Sequence, residues 1–329
     1  MIQEAVLSQF LLCDMDVSVV IVNYNTAALL PEMMGALRSA ATAMSVETII
    51  IDNASRDNSV ELIRRQFPDV RLIANPQNVG FGRANNLALP LVTGRYILLL
   101  NTDAFVLPDT LLKTVAYMDA HPKCGILGVK LTGRDGSLQP SARYFPTPWN
   151  TFLHRTGLKR YFKTVPMVDD MEWDHESIRP CDWVPGCFYL VRRDVISEVG
   201  LFDPRFFLYF EEVDHCFAAK KAGWEVVFFP FTTVVHIGGE SAKSDGKLTR
   251  SGRQLESLRL ESEMLYYRKN HGLPGALANL ALSSISDILV IARRLLPGRS
   301  KVELLAGLAH MRLLWATFWR TAWGRYATR

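Results

Sequence analysis

The sequence lacks several patterns that would define a fold or an activity at once. Its five cysteines are an odd number with no Cys-x-x-Cys pair, which argues against a structural zinc site and favours a reducing compartment. It contains neither a Walker A sequence nor a Gly-x-Ser-x-Gly motif. The local signatures of P-loop nucleotide binding and of the α/β-hydrolase nucleophile are therefore both missing.

Long apolar runs and a basic N-terminus are also missing. A membrane-spanning helix needs about 20 predominantly apolar residues, and the longest candidate, residues 273–292, is interrupted by Asp287. The first 16 residues carry Glu4, Asp14 and Asp16 and no basic segment, which is not typical of a signal peptide. We therefore expect a cytoplasmic protein without a transmembrane helix.

The composition is that of an ordinary globular protein with an uneven charge distribution. Of 329 residues, 49% are hydrophobic and 21% are charged, so the chain can bury a large core. The net charge is +4, but from Lys243 to the end there are 15 Lys and Arg residues against 6 Asp and Glu residues. A basic C-terminal segment favours an anionic partner. We expect that partner to be a membrane surface and not a nucleic acid.

Residues 17–130 alternate between short apolar runs and amphipathic segments. The apolar runs predict four strands, over residues 17–22, 46–51, 70–74 and 96–100. Helices are predicted between them, with Thr26 and Ser55 as N-caps and Pro108 in a first turn. This alternation indicates right-handed βαβ units, hence an α/β fold with a mostly parallel central sheet flanked by helices.

The remainder of the chain predicts further strands and a helical C-terminus. Strands are expected over residues 186–191 and 224–229 and a helix over residues 211–222, followed by two helical segments near 248–271 and 275–323. We therefore divide the chain into an N-terminal extension (1–16), a catalytic domain (17–271) and a basic amphipathic helical tail (272–329).

Polar side chains follow the predicted strands where each one ends. Ligands bind beyond the carboxyl ends of the strands in open parallel sheets, so we expect these residues to line a binding site. They are Asn23, Tyr24 and Asn25, then Asp52 and Asn53, then residues 75–78 including Asn78, and finally Asn101, Thr102 and Asp103.

Two constellations offer ligands for a divalent cation. A strand that ends in Asn101-Thr102-Asp103 suits a metal ion bound to a diphosphate, because such ions take hard oxygen ligands. The alternative is an Asx-turn that caps its own backbone. His236, at a strand end before two glycines, could be a further ligand or a structural histidine. Asp14-Met15-Asp16 also has the Asp-x-Asp spacing, but it precedes the first strand.

An acidic cluster marks the start of the predicted helix at residue 211. Glu211, Glu212 and Asp214 provide three carboxylates within four residues. Crowded carboxylates suit a metal site or a general base, whereas acidic residues in a first turn also simply stabilise the helix dipole. The spacing alone does not choose between these two interpretations.

Residues 78–86 form a polar glycine-containing segment. Gly80-Phe81-Gly82 lacks the third glycine of a dinucleotide fingerprint and follows the third strand instead of the first. We expect these glycines to let the backbone approach a ligand, with Arg83 and Asn85 as polar contacts.

Taken together, these motifs resemble glycosyltransferase family 2. The resemblance rests on residues 19–25, 51–55, 78–82 and 101–103. Segments similar to its rhamnosyltransferase branch are Trp183-Val184-Pro185-Gly186, Arg192-Arg193, Gly200-x-Phe202-Asp203 and Phe207-x-x-Phe210-Glu211-Glu212-x-Asp214. The match spans roughly residues 17–270 in the expected order.

The resemblance implies a GT-A fold and an inverting transfer from a nucleotide sugar. The donor it implies is a dTDP- or UDP-sugar, most often dTDP-L-rhamnose, used with Mg²⁺ or Mn²⁺. The acceptor is a glycan or a polyprenyl-linked sugar of cell-envelope synthesis. By position, Asp52 corresponds to the base-recognition aspartate, and Asp103 and His236 correspond to the metal ligands. Glu212 corresponds to the catalytic base.

The chain departs from the family pattern at three positions. Asn101 replaces the first carboxylate of the metal motif, Glu212 replaces the usual aspartate, and Ala218 replaces an arginine. Glu211 or Asp214 therefore remains an alternative base. A catalytically inactive nucleotide-sugar-binding scaffold and a sugar-1-phosphate nucleotidyltransferase remain alternative functions, although the latter would need a Gly-rich basic loop after the first strand.

The tail carries an apolar stripe that predicts docking on the cytoplasmic face of a membrane. The stripe consists of Leu304, Leu308, Met311, Trp315 and Phe318. Away from this stripe, on a polar face of the helix, we expect Glu303, His310, Thr317 and Thr321. The alternative is that the stripe packs on the catalytic domain or on a second subunit.

Overall fold

The computed structural model describes residues 15–238, 253–294 and 301–329. Its strands are β1 (Met15–Asn23), β2 (Val46–Asp52), β3 (Arg71–Ala74), β4 (Gly94–Leu100), β5 (Ala104–Val106), β6 (Cys124–Thr132), β7 (Leu138–Gln139), β8 (Arg179–Pro180), β9 (Phe188–Arg192) and β10 (Glu225–His236). Its helices are α1 (Leu30–Ala40), α2 (Ser59–Gln66), α3 (Phe81–Asn86), α4 (Thr110–Ala120), α5 (Pro148–Thr156), α6 (Arg193–Val199), α7 (Glu211–Lys221), α8 (Arg253–Arg294) and α9 (Lys301–Arg320), with a 3₁₀ turn at Leu158–Tyr161.

The first half of the sheet is parallel, and its strands end at a common edge. The strand order β3-β2-β1-β4 contains only parallel pairs. Asn23 pairs with Asp52 in the β1–β2 register, and Asp52 pairs with Ala74 in the β2–β3 register. The predicted α/β fold with parallel βαβ units is confirmed here, and the polar residues after these strands share one rim.

The second half of the sheet adds antiparallel strands and brings distant segments to the same rim. Strand β9 pairs antiparallel with β4, and the order continues through β6, β10 and β5. In the antiparallel β5–β10 pair, His236 lies opposite Ala104. Asp103 directly precedes β5, so this pairing brings it to the last residue of β10.

Helices cover both faces of the sheet and form two separate hydrophobic clusters. On one face, α1, α2 and α4 pack on inward-facing residues such as Ile21 and Leu98. On the other face, α3, α6, α7 and α8 pack on residues such as Val20 and Leu99. Neighbouring residues of one strand point to opposite faces, so both faces of these strands are buried, as expected for a parallel sheet.

Neither predicted helix cap forms. Helix α1 starts after Leu29 and α2 after Asn58, and neither N-cap residue makes a side-chain bond. The Thr26 hydroxyl instead donates to Asn23 Oδ1 (2.7 Å) and to Thr102 Oγ1 (2.9 Å). Ser55 Oγ accepts hydrogen bonds from the side-chain amide of Asn23 and from the backbone amide of Asn25. Both hydroxyls therefore organise the strand-end loops and not the helices.

Helices α8 and α9 pack as an antiparallel pair at the C-terminal end of the chain. Helix α8 is broken at Gly272, whose backbone is non-helical (φ 68°, ψ −168°). This is where the sequence predicted a separation between two helices. The segment Gln254–Arg293 contains an 18-residue window of mean hydropathy 1.7, of which 33% is buried. By length and composition alone this helix could cross a membrane, but core helices of soluble proteins have the same length and composition, so the expectation that the chain has no transmembrane helix stays a prediction.

The prediction that Thr317 and Thr321 lie on an exposed polar face of the tail helix is wrong. Thr317 and Thr321 are fully buried, and Phe318 packs with Leu314 against α8. The His310 ring contacts the buried carboxylate of Asp287 on α8 at 2.8 Å. Small hydroxyl side chains allow the two helices to approach closely. The Thr321 hydroxyl donates to the Thr317 carbonyl of its own helix, whereas the Thr317 hydroxyl has no partner among the described residues.

Gly80 is required by a close backbone contact between α3 and the segment before α7. Its φ of 90° and ψ of 166° lie in a region that is almost restricted to glycine. A Cβ at this position would meet the carbonyl oxygen of Phe207 at 2.4 Å. The neighbouring amide of Phe81 donates to that same oxygen at 2.8 Å. The expected close approach to a ligand is therefore a close approach to the protein's own backbone.

We expect Gly80→Ala to destabilise the fold strongly. The backbone strain alone is worth about 1–3 kcal/mol, and the clash with Phe207 adds to it. Gly136→Ala is the matched control, because Gly136 also has positive φ (80°) but has no atom within 4 Å of the added Cβ. Chemical denaturation should give a larger loss of unfolding free energy for Gly80→Ala. Equal losses for both variants would show that the contact with Phe207 is unimportant.

Candidate active site at the carboxyl edge of the sheet

A buried hydrogen-bond network holds the ends of β1 and β2 together. Asn23 Nδ2 donates to Asp52 Oδ2 at 2.7 Å and to Ser55 Oγ at 3.0 Å. The other oxygen of Asp52 accepts the Ser55 amide at 3.0 Å. Asn23 is fully buried, and Asp52 is only 1% exposed. The predicted base-recognition aspartate therefore already has a partner on each oxygen.

The residues that follow Asn23 and Asp52 shape the adjacent loops. Tyr24 and Asn25 come directly after β1; Asn25 adopts a left-handed backbone (φ 54°), and its side-chain oxygen accepts the Arg56 amide. Asn53 is buried and donates to Asn78 Oδ1 (2.9 Å), while its own oxygen accepts the Val79 amide (3.0 Å). Asn53 and Asn78 thus fix the polar loop after β3.

The glycine-containing segment packs inward and does not face an open rim. Gly82 lies against Phe202 and Glu211. Arg83 donates to the carbonyls of Pro204 and Arg329. Asn85 is 1% exposed and donates to the Phe81 carbonyl, while its side-chain oxygen has no partner. Arg83 therefore makes structural contacts, and Asn85 keeps one unused acceptor inside the protein.

The end of β4 presents Asn101, Thr102 and Asp103 to the rim. The Asn101 amide donates to the carbonyl of Cys187, which precedes β9, at 3.0 Å. Thr102 is buried and its hydroxyl accepts from Thr26. Asp103 Oδ2 accepts the Gly238 amide at 3.0 Å. The Asn101 carbonyl also accepts the Ala104 amide, as in a tight turn.

Asp103 and His236 lie next to each other, as the sequence predicts for two ligands of one cation. Asp103 Oδ1 and His236 Nε2 are 3.6 Å apart, and their side chains are 7% and 19% exposed. Burial lowers the pKa of His236, against the opposing effect of Asp103. A carboxylate suits both Mg²⁺ and Mn²⁺, whereas a neutral imidazole is typical of transition-metal ions and therefore favours Mn²⁺ of the two.

These two side chains do not make a complete metal centre by themselves. Within the described residues, no group of three or more His, Cys, Asp or Glu side chains could hold a metal ion. Mg²⁺ in particular is commonly held by one or two carboxylates together with substrate phosphates and water. The pair therefore fits a cation that arrives with a phosphorylated ligand better than a permanently bound one. By contrast, Asp16 pairs with Arg95 at the amino end of β1, far along the strand from this rim.

Glu211 and Glu212 are two adjacent buried carboxylates at the start of α7. Burial, with Glu212 nearby, raises the pKa of Glu211 well above its ordinary value, and burial also raises the pKa of Glu212. One side-chain oxygen of each residue has no hydrogen-bond partner. Glu211 is only 3% exposed, whereas Glu212 is partly exposed. Glu212 is therefore the less enclosed residue of this pair, although its partnerless oxygen Oε2 is itself buried.

Asp214 has a different environment from the two glutamates. Its oxygens accept Lys269 Nζ at 2.6 Å and Asn270 Nδ2 at 2.8 Å, both from α8. Lys269 also contacts Asp203 at 2.7 Å, and hydrogen bonds from Arg205 and Lys269 outweigh burial and lower the pKa of Asp203. Asp214 therefore belongs to an ion-pair network that joins α7 to α8.

Cys187 and Arg143 lie between elements of the site and are affected by its charged side chains. Burial, Asp103 and Glu212 together raise the pKa of Cys187 to about 12, so both carboxylates act on the same thiol. Arg143 ion-pairs with Asp169 (2.9 Å) and lies over the Trp183 ring, and its Nε has no partner. The Arg143 charge opposes the burial effect on Glu212. Glu212 and Asp103 thus both lie close enough to Cys187, the residue before β9, for their charges to act on it.

Sequence reasoning missed Arg143, Gln139 and Lys269. Each reaches the site from an element far along the chain: Gln139 contacts His236, and Lys269 contacts Asp214. Gln139 and Arg143 lie in the Pro- and turn-rich region after residue 130, where no periodic pattern distinguishes one polar residue from another. Lys269 lies in a basic helix, where a lysine is unremarkable.

Two family models match the chain, and together they span most of it. "Glycosyl transferase family 2" matches residues 18–173, and "Glycosyl transferase family group 2" matches residues 96–319. Both matches include the Asn101–Asp103 strand end, and the second also includes α7 and His236.

Characterised relatives carry similar names. The chain is 29% identical over 240 residues to an N-acetylglucosaminyl-diphospho-decaprenol L-rhamnosyltransferase of Mycobacterium tuberculosis, which covers 69% of this chain and 78% of the relative. It is 28% identical over 176 residues to rhamnosyltransferase WbbL of Escherichia coli, which covers 50% of this chain and 63% of that relative.

A solved structure shares the fold. The mannosyltransferase PcManGT of Pyrobaculum calidifontis, solved in complex with GDP-Man and Mn²⁺, superposes with a TM-score of 0.54. The superposition covers 94% of this chain and 87% of that one at 17% identity. The α/β architecture is therefore of the GT-A type. With its sheet, its strand-end residues and these matches, the chain belongs to glycosyltransferase family 2 and is a glycosyltransferase.

Proposed function

We propose that this enzyme transfers L-rhamnose from dTDP-L-rhamnose, with inversion, to a hydroxyl of a lipid-linked acceptor in cell-envelope glycan synthesis. The observation that carries the proposal is the rim itself. It presents a carboxylate–imidazole pair, Asp103 and His236, and it includes Glu212, which with Asp103 raises the pKa of the same Cys187 thiol. The names of the relatives from M. tuberculosis and E. coli support rhamnose as the sugar.

Asp103 and His236 would hold Mg²⁺ or Mn²⁺ together with the donor diphosphate. A divalent cation at this position offsets the negative charge that develops on a departing diphosphate. Asp52 and the loops that it and Asn53 organise would receive the nucleoside, with Tyr24, Asn25 and Asn101 on the accessible side of the rim. Because the oxygens of Asp52 already have internal partners, its contribution to base recognition would use their remaining lone pairs.

Glu212 would act as the general base. Its buried Oε2 has no partner inside the protein, so it would be available to accept the proton of the acceptor hydroxyl as that oxygen attacks the anomeric carbon from the face opposite the diphosphate. Its raised pKa makes the carboxylate a better proton acceptor than an exposed glutamate. Glu211 is more deeply buried, and Asp214 is neutralised by Lys269, so neither is as suitable.

The first test is turnover with a panel of nucleotide sugars. We expect metal-dependent release of dTDP from dTDP-L-rhamnose with a polyprenyl-diphosphate-linked acceptor, and little release from UDP- or GDP-sugars. Asp103→Ala should remove this activity and the metal-dependent part of dTDP affinity. Asp16→Ala, an acidic residue of β1 at the opposite end of the strand, is the control and should retain both.

Other outcomes of this panel discriminate between the alternatives. Binding of dTDP and metal without turnover on any acceptor would favour an inactive scaffold. Formation of a nucleotide sugar from a sugar 1-phosphate would favour a nucleotidyltransferase. Turnover with a different donor would overturn rhamnose while retaining the reaction.

The second test concerns the base. Glu212→Gln should lower kcat by about 10²–10⁴-fold, the usual contribution of a general base, with donor affinity nearly unchanged. In the unmodified enzyme, kcat should fall on acidification with an apparent pKa above the ordinary 4.5, because burial raises the pKa of Glu212 and only its ionised form accepts a proton.

Glu211→Gln and Asp214→Asn are the comparison variants for this test. Asp214→Asn should lower thermal stability more than kcat, because it breaks the contact with Lys269. If Glu211→Gln is the inactive variant while Glu212→Gln turns over normally, the assignment of the base is wrong.

The C-terminal helices would place the site at the headgroup level of an anionic membrane. Between residues 273 and 292 the exposed residues of α8 are all apolar, and Leu277, Ala281, Ile285, Ile288 and Ala292 among them recur at helical spacing, with the exposed Arg293 next to the last of them. On α9, Leu308, Arg312, Trp315 and Trp319 are exposed at spacings of four, three and four residues. The Trp315 indole donates to Ser284 of α8, so the two exposed faces adjoin.

The basic charge around this face complements anionic lipid. Arg312, Arg320 and Arg325 are exposed on or after α9, and each basic residue near an anionic surface contributes about 1 kcal/mol. Exposed tryptophans beside an apolar helix face are typical of membrane-interface binding. Of the stripe predicted from the sequence, Leu308 and Trp315 are exposed on this face, whereas Phe318 is buried against α8.

The membrane proposal predicts a selective loss of vesicle binding in Ile288→Asp. Ile288 is 54% exposed, so the substitution should leave folding intact while it places a charge in the bilayer contact. The unmodified chain should co-sediment with phosphatidylcholine vesicles that contain phosphatidylglycerol and should be released by salt. Leu112→Asp is the control, because Leu112 is equally exposed (51%) on α4. Equal binding of both variants, or no binding of the unmodified chain, would contradict the proposal.

A further inference from the structure

Gln139 reaches the metal-ligand pair from a short strand that no sequence motif singles out. It is the second residue of β7, which pairs antiparallel with β6 through Leu131. Strand β6 in turn pairs with β10, so β7 lies near the end of the strand that carries His236. Gln139 makes two hydrogen bonds to His236, one to its ring and one to its backbone.

The backbone contact fixes which way the Gln139 amide points. Its Nε2 donates to the His236 carbonyl oxygen at 2.8 Å. A carbonyl can only accept, so the NH₂ group must be on that side. Gln139 Oε1 therefore faces the imidazole, where it lies 2.9 Å from His236 Nδ1.

The amide orientation determines the tautomer of the imidazole. Gln139 Oε1 can only accept, so His236 Nδ1 must carry a hydrogen and donate it. In the neutral ring the lone pair is then on Nε2, the nitrogen that faces Asp103 Oδ1 at 3.6 Å. Asp103 Oδ2 is already engaged by the Gly238 amide. Two acceptors thus face each other with no proton between them, and a cation would satisfy both.

We propose that Gln139 is the positioning residue that fixes His236 as the Nδ1–H tautomer and directs its Nε2 lone pair toward the divalent cation shared with Asp103. This inference rests on the metal site of the proposed function and adds a residue outside its ligand set. Metal-binding histidines generally donate their second N–H to a carboxylate, carbonyl or water, which orients the ring. Here a side-chain amide takes that role, and its second bond holds the amide itself.

The proposal differs from a purely structural role of Gln139 in the β7 hairpin. A structural role would affect stability and would not depend on which atom faces Nδ1. A positioning role would affect metal affinity and would be preserved in part by any side chain that presents an acceptor to Nδ1. Gln139→Leu removes the acceptor, whereas Gln139→Glu keeps an oxygen at nearly the same place.

The test is Mn²⁺ affinity measured by electron paramagnetic resonance, with Mn²⁺ alone and with dTDP added. Gln139→Leu should bind Mn²⁺ about 10- to 100-fold more weakly, the usual cost of losing such a partner. Gln139→Glu keeps an acceptor for the Nδ1 hydrogen but loses the donor to the His236 carbonyl, so it should bind Mn²⁺ more weakly than the unmodified chain and more tightly than Gln139→Leu. Ser141→Ala is the control: it removes the Ser141 bonds to Gln139 O and Leu131 N in the same hairpin and should leave Mn²⁺ affinity unchanged.

The outcomes separate this inference from the proposed function. If the unmodified chain and Asp103→Ala bind Mn²⁺ equally, the metal site itself is wrong. If Asp103→Ala loses binding while Gln139→Leu does not, only the positioning role is wrong. Equal losses in Gln139→Leu and Gln139→Glu with matching falls in melting temperature would show a structural role instead. In steady-state assays, the positioning role predicts that Gln139→Leu needs a higher Mn²⁺ concentration for activity. Excess Mn²⁺ should then restore its activity.

Discussion

The antiparallel pairing of β5 with β10 is the contact on which the proposed chemistry depends. It places His236 opposite Ala104 and joins the amide of Ile237 to the Asp103 carbonyl at 3.0 Å. Asp103 and His236 are far apart in the sequence, and this pairing brings the Asp103 carboxylate and the His236 imidazole to a distance of 3.6 Å. The parallel half of the sheet supplies the opposite wall, because Asn23 and Asp52 end at the same edge.

Some buried polar groups of the site have hydrogen-bond partners inside the protein, and others do not. Asp52, Asn53 and Asp214 have hydrogen-bond or ion-pair partners inside the protein and therefore stabilise the loops around them. Glu211 and Glu212 each retain an oxygen without a partner. An unsatisfied buried carboxylate costs stability, so its retention at a rim is better explained by function than by folding. This contrast favours Glu212 as the base and Asp214 as a structural residue.

Much of the fold could be predicted from the sequence because its signals are local. Apolar β-branched runs and the polar residues after them predicted β1, β2, β4 and the shared rim. The predictions that failed depended on distant partners. Thr26 and Ser55 bond across strand ends instead of capping helices, and Gly80 is required by Phe207.

The candidate site was predictable only where a motif accompanied it. Asp103, His236 and Glu212 were identified through the resemblance to a family. Gln139 was not, because its role depends on a tautomer that two hydrogen bonds impose. The prediction of a polar face on α9 failed for a similar reason. Thr317 and Thr321 are polar residues, but they are small enough to be buried against α8.

The most direct test of the central claim is the position of Mn²⁺ in crystals grown with Mn²⁺ and dTDP. Anomalous scattering at the manganese edge locates the ion independently of the protein density. The account predicts one peak bonded to Asp103 Oδ1, to His236 Nε2 and to the diphosphate, with Glu212 outside the coordination sphere of the ion. A peak bonded instead to Glu211 and Glu212, or dTDP bound away from the ends of β1, β2 and β4, would contradict it.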